Sequence, residues 1–326
     1  MIPSFVNNLF DESGRHFPGT ALEAFQFQRE QNNLYRQYCD LIHFRNRSAN
    51  RLEDIPFLPI RFFKSHRVVS SDATAATVFE SSGTSQTIPS RHYVTDLAFY
   101  ERSFMKGFEL VYGPAENWCI LALLPSYLER RGSSLVYMAE HLMKKSAHPL
   151  NGFYLSNHEA LHRVLVQLEQ QQQPTILLGV TFALLDFAEH YPMELKHTLV
   201  METGGMKGRR EELTREEVHT QLMRQLGLPS VHSEYGMTEL LSQAYSKGKG
   251  LFHCPPWMKV LVREEDDPSV VLQQGKGALN IIDLANIHSC CFLATDDVGE
   301  VFADGSFRVM GRLDNTDVRG CSLLAL

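Results

Sequence analysis

Apolar residues are concentrated in short, unbroken runs through the middle of the chain, and amphipathic stretches separate these runs. The runs cover residues 77–80, 118–124, 175–180 and 198–201. Strands that are buried on both faces give continuous apolar runs of this kind, and helices that alternate with them indicate a partly parallel sheet. The pattern therefore predicts an α/β fold in which helices cover a layered sheet.

The two ends of the chain differ from this middle part. Residues 21–43 have helical spacing, and residues 55–60, IPFLPI, carry two prolines that indicate a linker. Short strands are predicted at residues 278–283 and within residues 298–310, where an Asp-Gly turn joins the last pair. We therefore divide the chain into an N-terminal helical segment (1–75), an α/β core (76–262) and a β-rich end with a C-terminal tail (263–326).

The composition excludes several classes of protein. Of the 326 residues, 44% are apolar and 21% are charged, which suits a globular chain with a large core. The net charge of −7 gives no general attraction to nucleic acid or anionic membranes, so a bound anion would need local donors and cations. Six cysteines without a CxxC pair indicate neither a disulfide scaffold nor a zinc site.

The sequence also bears on the compartment. The N-terminus has no signal-peptide pattern, and the longest apolar stretch, residues 175–188, is too short to span a bilayer and contains Asp186. We therefore expect a cytoplasmic protein without a membrane span.

The first candidate motif is SSGTSQT at residues 81–87. Small hydroxyl-bearing residues around Gly83 can turn their hydroxyl and backbone N–H groups toward a phosphate chain, and glycine permits a close approach. No Gly-Lys-Ser/Thr follows, so the stretch is not a Walker loop. An ordinary surface loop has the same composition, so the stretch alone does not decide between the two.

The second motif is EYGMTE at residues 234–239, which places an aromatic face, a glycine, a hydroxyl and a carboxylate close together. A carboxylate is a hard oxygen ligand, of which Mg²⁺ typically takes one or two beside phosphate oxygens. The alternative is a loop before a helix, with Thr238 as the N-cap. His232, just upstream, is either a substrate-site residue or a loop histidine with a structural partner.

The third motif is TDDVG at residues 295–299, followed by GRLD at residues 311–314. An ionised carboxylate can accept two hydrogen bonds, and arginine offers several donors that stay charged. Asp296 and Asp297 are adjacent, so either carboxylate is a candidate. Taken alone, an Asp-Asp pair before a hairpin is usually surface turn chemistry.

In this order and at these separations, the three motifs resemble the nucleotide-binding motifs of the acyl-adenylate-forming superfamily. The form TGG-x-K-G-R at residues 203–209 and Cys321 near the C-terminus narrow the resemblance to the acyl-protein synthetases of the LuxE family. The resemblance covers roughly residues 76–321. It implies a layered sheet of the adenylate-forming (N-terminal domain) type, and it implies ATP and Mg²⁺ as cofactors.

The resemblance also assigns roles to individual residues. Those expected at the phosphates are Ser82, Gly83, Thr84 and Ser85, with Thr238 at the α-phosphate and Glu239 on Mg²⁺. Those expected around the nucleoside and the acyl group are Gly204, Gly205, Tyr235 on the adenine face, Gly236, and Asp297 on the ribose hydroxyls. For the ribose contact, the spacing to Gly299 favours Asp297 over its neighbour Asp296. Arg312 would approach the ribose and phosphate, and Cys321 would accept the acyl group. The residues expected to be catalytic are Glu239, Thr238, Arg312 and Cys321.

The implied reaction is the ATP-dependent activation of a carboxylic acid, expected to be fatty, to an acyl-adenylate. The acyl group would then pass to a protein thiol, so that an acyl-acceptor protein or a reductase is an expected partner. One alternative is an acyl- or aryl-CoA ligase that uses a free thiol. An alternative of another class is a catalytically inactive nucleotide-binding scaffold.

Three features bear on these alternatives. The family's phosphate loop is often followed by a lysine, whereas Pro89, Ser90 and Arg91 stand here, which leaves open whether Arg91 supplies charge. We also expect the chain to lack the mobile C-terminal domain that carries a catalytic lysine in full-length relatives. Cys321 is either the acyl acceptor on a mobile tail or a small apolar residue in a tail that docks through its leucines.

Overall fold

A computed structural model of the protein describes residues 2–11, 16–42, 44, 48–70, 74–81, 88–125, 132–204 and 213–313. The helices in these ranges are α1 (Phe17–Gln31), α2 (Asn33–Leu41), α3 (Phe62–Ser65), α4 (Leu97–Tyr112), α5 (Ser134–Ser146), α6 (His158–Gln170), α7 (Thr181–His190) and α8 (Arg215–Leu226). The strands are β1 (Leu58–Pro59), β2 (Thr77–Glu80), β3 (Arg91–Val94), β4 (Cys119–Leu123), β5 (Gly152–Phe153), β6 (Thr175–Val180), β7 (Thr198–Thr203), β8 (His232–Tyr235), β9 (Ala244–Ser246), β10 (Met258–Arg263), β11 (Val271–Leu272), β12 (Gly275–Asp283), β13 (Phe292–Val301) and β14 (Phe307–Arg312). Short 3-10 helices lie at Ser4–Asn8, Leu52–Asp54, Ala115–Asn117 and Leu284–His288.

Three of the four apolar runs form adjacent strands of one six-stranded sheet, in the order β5-β4-β6-β7-β8-β9. The first five strands in that order are parallel, and β9 returns antiparallel to β8. All residues of β4 and β6 are buried, and helices such as α5 and α7 pack against these strands. The prediction of an α/β fold with a layered, partly parallel sheet is therefore confirmed.

Local sequence sets where the helices begin and end. Asp96 caps the N-terminus of α4 through its side chain, and Gly113 ends that helix with a φ of +76°. Thr214 and Glu217 form a capping box at the start of α8, and Gly227 ends it with a φ of +61°. These capping residues therefore define the ends of α4 and α8.

The remaining apolar run, residues 77–80, forms β2 and does not join this sheet. It pairs antiparallel with β3, so the first candidate motif falls between two paired strands in the sequence. Residues 82–87 of this motif lie outside the described residues. The residues on either side of them are bonded to each other: the Ser81 N–H donates to Ser90 O at 3.0 Å, and the Ser90 N–H donates to Ser81 Oγ at 2.9 Å.

A second sheet has the order β1-β13-β12-β10-β11, with β14 paired to the far end of β13. The predicted Asp-Gly turn joins β13 to β14, with Gly305 at a φ of +82° and Asp304 accepting a hydrogen bond from the Ser306 backbone at 3.0 Å. The strand prediction for this region is confirmed. Strand β10 crosses the boundary that we placed between residues 262 and 263.

The prediction of a linker at residues 55–60 was wrong. Leu58 and Pro59 form β1, which pairs in parallel with β13, and Ile55, Phe57 and Leu58 are buried. Proline is tolerated here because β1 lies at the edge of the sheet. The Ile60 N–H donates to Ala294 O at 2.9 Å and continues the pairing.

The N-terminal helices pack onto the second sheet. Asn32 separates α1 from α2, and its side chain caps α2 by accepting a hydrogen bond from Tyr35 N at 2.9 Å. Gln28 is fully buried and bonds to the backbone of Ile287 and Cys291, at 2.9 and 2.8 Å. Residues from the first and third predicted regions therefore share one core. The division of the chain into domains at residues 1–75, 76–262 and 263–326 remains a prediction.

None of the described helices combines the length and apolar character needed to cross a membrane.

Candidate active site

The second motif lies where neighbouring parallel strands end. Thr203 at the end of β7 is in register with Glu234 on β8, and β8 ends one residue later at Tyr235. Gly204 follows β7 with a φ of +76°, a conformation that favours glycine. Its carbonyl accepts a hydrogen bond from Thr181 Oγ1 at 3.0 Å. Ligands of open α/β sheets bind at this carboxyl edge of the strands, so the edge is a candidate site.

The third motif reaches this edge from the second sheet. Tyr235 Oη donates to Asp297 Oδ2 at 2.7 Å, and Arg312 Nε donates to Asp297 Oδ1 at 2.9 Å. Asp297 on β13 is in register with Arg312 on β14, which brings the two side chains together. Tyr235 and Asp297 are buried, whereas the side chain of Arg312 is 78% exposed. Burial, and then the charge of Asp297, raise the pKa of Tyr235, so its phenol remains a donor.

Asp296 occupies a different position from its neighbour. Residues along β13 alternate between buried and half-buried, so Asp297 faces inward and Asp296 is half-buried on the other face. The carbonyl of Asp296 accepts a hydrogen bond from Leu313 N at 2.8 Å. Only Asp297 of the pair contacts Tyr235 and Arg312 in the described structure.

Aromatic rings surround Tyr235 on the side of the second sheet. The ring of Phe307 lies edge-on to it at 5.3 Å between centroids, and Phe252 lies at 5.8 Å. Arg215 places its guanidinium 5.0 Å from the centre of the Phe252 ring. Sequence reasoning missed these three residues, because an isolated phenylalanine or arginine carries no motif.

Glu239 lies in a turn rather than a helix, because Leu240 N donates to Met237 O at 3.0 Å and the next element after β8 is strand β9. The interpretation of Thr238 as a helix N-cap was therefore wrong. Glu239 is buried, and burial raises the pKa of its carboxyl against the opposing effects of a hydrogen bond from Ser90 and the charges of Arg312 and Lys64. A buried carboxyl on which two cations act is suited to a site that binds a metal ion together with an anion such as a phosphate.

A second buried carboxyl lies beside the motif. Glu234 accepts a hydrogen bond from Thr203 Oγ1. Burial raises the pKa of Glu234 to about 7, an effect that the Thr203 hydrogen bond opposes and the nearby charge of Glu202 increases. A Cβ atom added at Gly236 would come within 2.4 Å of Glu234 Oε1, so a larger residue there would displace this carboxyl.

Glu202 is held in its charged form on the neighbouring strand. Burial disfavours that charge, but the hydrogen bond from His219 and the charge of Arg215 outweigh burial and lower the pKa of the carboxyl. Thr181 Oγ1 also donates to Glu202 Oε1 at 2.8 Å. The carboxyl edge of the sheet thus carries one carboxyl with a lowered pKa and one with a raised pKa.

The remaining predicted residues divide into two groups. His232 has a structural partner, since its Nδ1 lies 3.3 Å from Tyr112 Oη, and Arg91 pairs with Glu80 at 3.1 Å. The others lie outside the described residues: Ser82, Gly83, Thr84, Ser85, Gly205 and Cys321.

A metal at this site would need ligands beyond the protein. Within the described ranges, no cluster of three or more His, Cys, Asp or Glu side chains could hold an ion. Mg²⁺ is commonly held by one or two carboxylates and completes its coordination with phosphate oxygens and water. Glu239 offers one buried carboxylate, which fits that pattern.

The fold is similar to that of solved ligases. ATP-bound MatB from Rhodopseudomonas palustris superposes with a TM-score of 0.56 at 14% identity, over 75% of this chain and 49% of that chain. The long-chain-fatty-acid-CoA ligase FadD1 from Archaeoglobus fulgidus gives a TM-score of 0.53 at 15% identity, over 78% and 55%. O-succinylbenzoate coenzyme A synthetase (MenE) from Bacillus subtilis, in complex with ATP and magnesium ion, gives 0.50 at 17% identity, over 75% and 51%.

These similarities establish the fold, which is that of the N-terminal domains of adenylate-forming enzymes. The chain spans about half the length of the three solved structures. A family model described as "Acyl-protein synthetase, LuxE" matches residues 8–325. The chain therefore belongs to the LuxE acyl-protein synthetase family, as its motifs predicted. No curated protein matched the sequence.

The raised pKa of Glu234 predicts a specific pH dependence of stability. The folded value of about 7 exceeds the ordinary value of 4.5, so the folded state holds the proton more tightly. Stability is therefore lost as pH rises from about 4.5 through about 7. Glu234→Gln removes this loss, and the variant should gain stability relative to wild type between pH 5 and pH 8. The difference between 4.5 and about 7, at about 1.4 kcal/mol per pKa unit, corresponds to a gain of about 3.5 kcal/mol at most.

Urea unfolding at pH 5 and at pH 8 measures the difference in stability between Glu234→Gln and wild type. Glu264→Gln changes an exposed glutamate and serves as the control. A difference between Glu234→Gln and wild type that is the same at both pH values would contradict the raised pKa.

Proposed function

We propose that this protein activates a carboxylic acid with ATP, giving an acyl-adenylate and pyrophosphate, and then passes the acyl group to a protein thiol. The observation that supports this function most directly is the contact of Tyr235 and Arg312 with Asp297. Residues from the second and third motifs meet there, at the carboxyl edge of a parallel sheet. Membership of the LuxE family and the adenylate-forming fold support the same reaction.

In this proposal the Asp297 carboxylate binds the ribose. Each of its oxygens accepts one hydrogen bond in the structure, from Tyr235 and from Arg312. A carboxylate has about four acceptor positions, so two remain for the ribose hydroxyls. The Tyr235 ring would cover the adenine, and the exposed guanidinium of Arg312 would lie close to the ribose and phosphates.

Glu239 and Thr238 would form the phosphate end of the site. Mg²⁺, when bound, would neutralise charge on the phosphate chain. Glu239 would hold the ion from the protein side, and the half-buried Thr238 would offer its hydroxyl to the α-phosphate. The protein's contribution is alignment and charge compensation, which are the main catalytic factors in transfer to phosphorus.

The proposed reaction has two steps. A carboxylate oxygen of the acid attacks the α-phosphorus, and the bond to the bridging oxygen breaks so that pyrophosphate leaves with the electron pair. A thiolate then attacks the carbonyl carbon of the mixed anhydride, and AMP leaves with the electron pair of the broken C–O bond. The proton of the thiol passes to solvent. A fatty or other apolar acid is the proposed substrate.

The described cysteines are poor candidates for the acyl acceptor. Burial raises the pKa of the Cys39, Cys119, Cys254 and Cys290 thiols to about 12 and that of Cys291 well above its usual range. A thiol in its neutral form is a weak nucleophile. This supports either Cys321, the sixth cysteine of the chain, or a thiol on a partner protein or reductase as the acceptor.

Two other functions remain as alternatives within the same fold. Two of the similar structures carry names of CoA-linked enzymes, a long-chain-fatty-acid-CoA ligase and a coenzyme A synthetase, which supports an acyl- or aryl-CoA ligase. An inactive nucleotide-binding scaffold would retain the Asp297 contacts without turnover. We propose the acyl-protein reaction because the family model covers nearly the whole chain, and we propose that it takes place in the cytoplasm.

Acid-dependent exchange between ATP and labelled pyrophosphate tests the first step. Wild type should show exchange with one or more acids in a panel of varied chain length. Glu239→Gln should lower the exchange rate about tenfold or more, equivalent to about 1.4 kcal/mol or more, because it removes the charged ligand for Mg²⁺. Glu264→Gln, an exposed change of the same type, should leave the rate unchanged.

Absence of exchange with every acid would favour the scaffold. An unchanged rate in Glu239→Gln at limiting and saturating Mg²⁺ would remove Glu239 from the site. Formation of a CoA thioester after addition of coenzyme A would favour the CoA ligase.

The transfer step is tested by labelling the protein with radioactive acid and ATP. Wild type should carry a label that hydroxylamine releases, as expected for a thioester. Cys321→Ser should abolish this label and leave pyrophosphate exchange largely intact. Cys119→Ser, a change at a buried cysteine, is the matched control and should keep the label. Labelling that persists in Cys321→Ser would place the acceptor on another cysteine.

A further inference from the structure

Two buried side chains hold consecutive carbonyl groups of the turn that carries Glu239. His92 Nδ1 lies 2.8 Å from Thr238 O, and Asn286 Nδ2 donates to Glu239 O at 2.8 Å. His92 comes from β3 and Asn286 from the 3-10 helix Leu284–His288, and both side chains are fully or almost fully buried. The two main-chain groups beside the Glu239 side chain are therefore fixed by residues outside all three motifs.

The next residues of the turn are fixed in the same way. The carboxyl of Asp283 is fully buried and accepts backbone hydrogen bonds from Leu241 N at 2.9 Å and Ser242 N at 3.0 Å. Main-chain groups on both sides of Leu240 thus bond to buried side chains. A turn whose main chain is hydrogen-bonded at these four groups can hold the Glu239 side chain in one orientation.

The contact determines which ring nitrogen of His92 donates. A carbonyl oxygen only accepts, so Nδ1 must carry a proton, and in the neutral ring Nε2 is then a bare acceptor. Nε2 is buried and has no partner within the described part of the chain. Burial lowers the pKa of His92 to about 4, against the hydrogen bond to Thr238 that raises it. The ring is therefore neutral at physiological pH, and it acts as a hydrogen-bond donor rather than as a charge.

The residue just before β3, Ser90, also contacts the Glu239 side chain. Ser90 is buried, it hydrogen-bonds to the Glu239 carboxyl, and it lies two residues before His92. Ser90 also makes two hydrogen bonds with Ser81, the first residue of the first motif. Residues 90–92 thus contact Ser81, the main chain of the turn and the Glu239 carboxyl.

We propose that His92 is a positioning residue for Glu239, which holds the Thr238–Glu239 peptide so that the carboxylate faces a Mg²⁺ ion bound to the phosphates of ATP. The proposal rests on the proposed function, because it assumes an ATP site at the motif residues. It assigns His92 no proton transfer, since its donor nitrogen is occupied by Thr238 O.

Two substitutions separate a positioning role from simple packing. Asparagine can place an N–H group near the position of Nδ1, whereas glutamine reaches the position of Nε2 instead. His92→Asn should keep the hydrogen bond to Thr238, and His92→Gln should lose it. His66→Gln changes an exposed histidine and is the control.

The measurement is ATP affinity by calorimetry, in the presence of Mg²⁺ and in the presence of a chelator. The ratio of the two affinities reports how well the protein holds the metal–nucleotide complex. We expect His92→Gln to lower this ratio about 5- to 10-fold, the scale of one lost hydrogen bond. His92→Asn and His66→Gln should keep the ratio within about twofold of wild type. Urea unfolding of each variant reports packing separately.

The possible outcomes distinguish this inference from the proposed function. If wild type binds ATP with a Mg²⁺ effect and His92→Gln retains the full effect, the positioning role is wrong and the proposed function stands. If His92→Asn and His92→Gln lower the ratio equally, the ring acts by packing and the proposal is again overturned. If wild type shows no ATP binding under either condition, the proposed function fails, and the inference fails with it.

Discussion

The candidate site depends on the hydrogen bonds that the Asp297 carboxylate accepts from Tyr235 and Arg312. This carboxylate lies on the second sheet, is buried, and is bonded by Tyr235 from the end of the first sheet and by Arg312 from the neighbouring strand. A buried charge is costly unless it is paired and hydrogen-bonded, so the contact favours the arrangement in which both partners reach it. Because these partners come from different motifs, the same contact brings the motifs together.

Local charge, rather than net charge, makes the site suitable for an anion. The chain as a whole carries a net charge of −7, which disfavours ATP at a distance. At the site, however, the charges of Arg312 and Lys64 act on Glu239, and Arg215 acts on Glu202. The charges of nearby cations thus act on both buried carboxyls, and these cations supply positive charge at the site that the chain as a whole lacks.

Sequence patterns predicted the central strands of the first sheet, and the physical reason can be identified. Continuous apolar runs gave the central parallel strands, because a strand covered on both faces has no polar positions. The alternation of β13 separates Asp297 from Asp296, in agreement with the spacing to Gly299. The linker prediction failed because prolines at a sheet edge have the same local sequence as prolines in a loop.

The supporting residues of the site could not be predicted from the sequence. His92 and Asn286 bond to a turn that lies 146 and 47 residues away in the chain, and neither residue type identifies a partner at such a separation. Phe252 and Phe307 are likewise indistinguishable in the sequence from other core residues. Their roles follow from long-range packing, which local patterns do not encode.

The most direct test of the account is whether Asp297 binds the ribose. Calorimetry would compare ATP with 2′,3′-dideoxy-ATP for wild type, Asp297→Ala and Asp296→Ala. Wild type should prefer ATP by about 1.5–3 kcal/mol, the scale of hydrogen bonds to a charged group. Asp297→Ala should lose this preference and Asp296→Ala should keep it. Loss of the preference in Asp296→Ala alone, or its full retention in Asp297→Ala, would contradict the account.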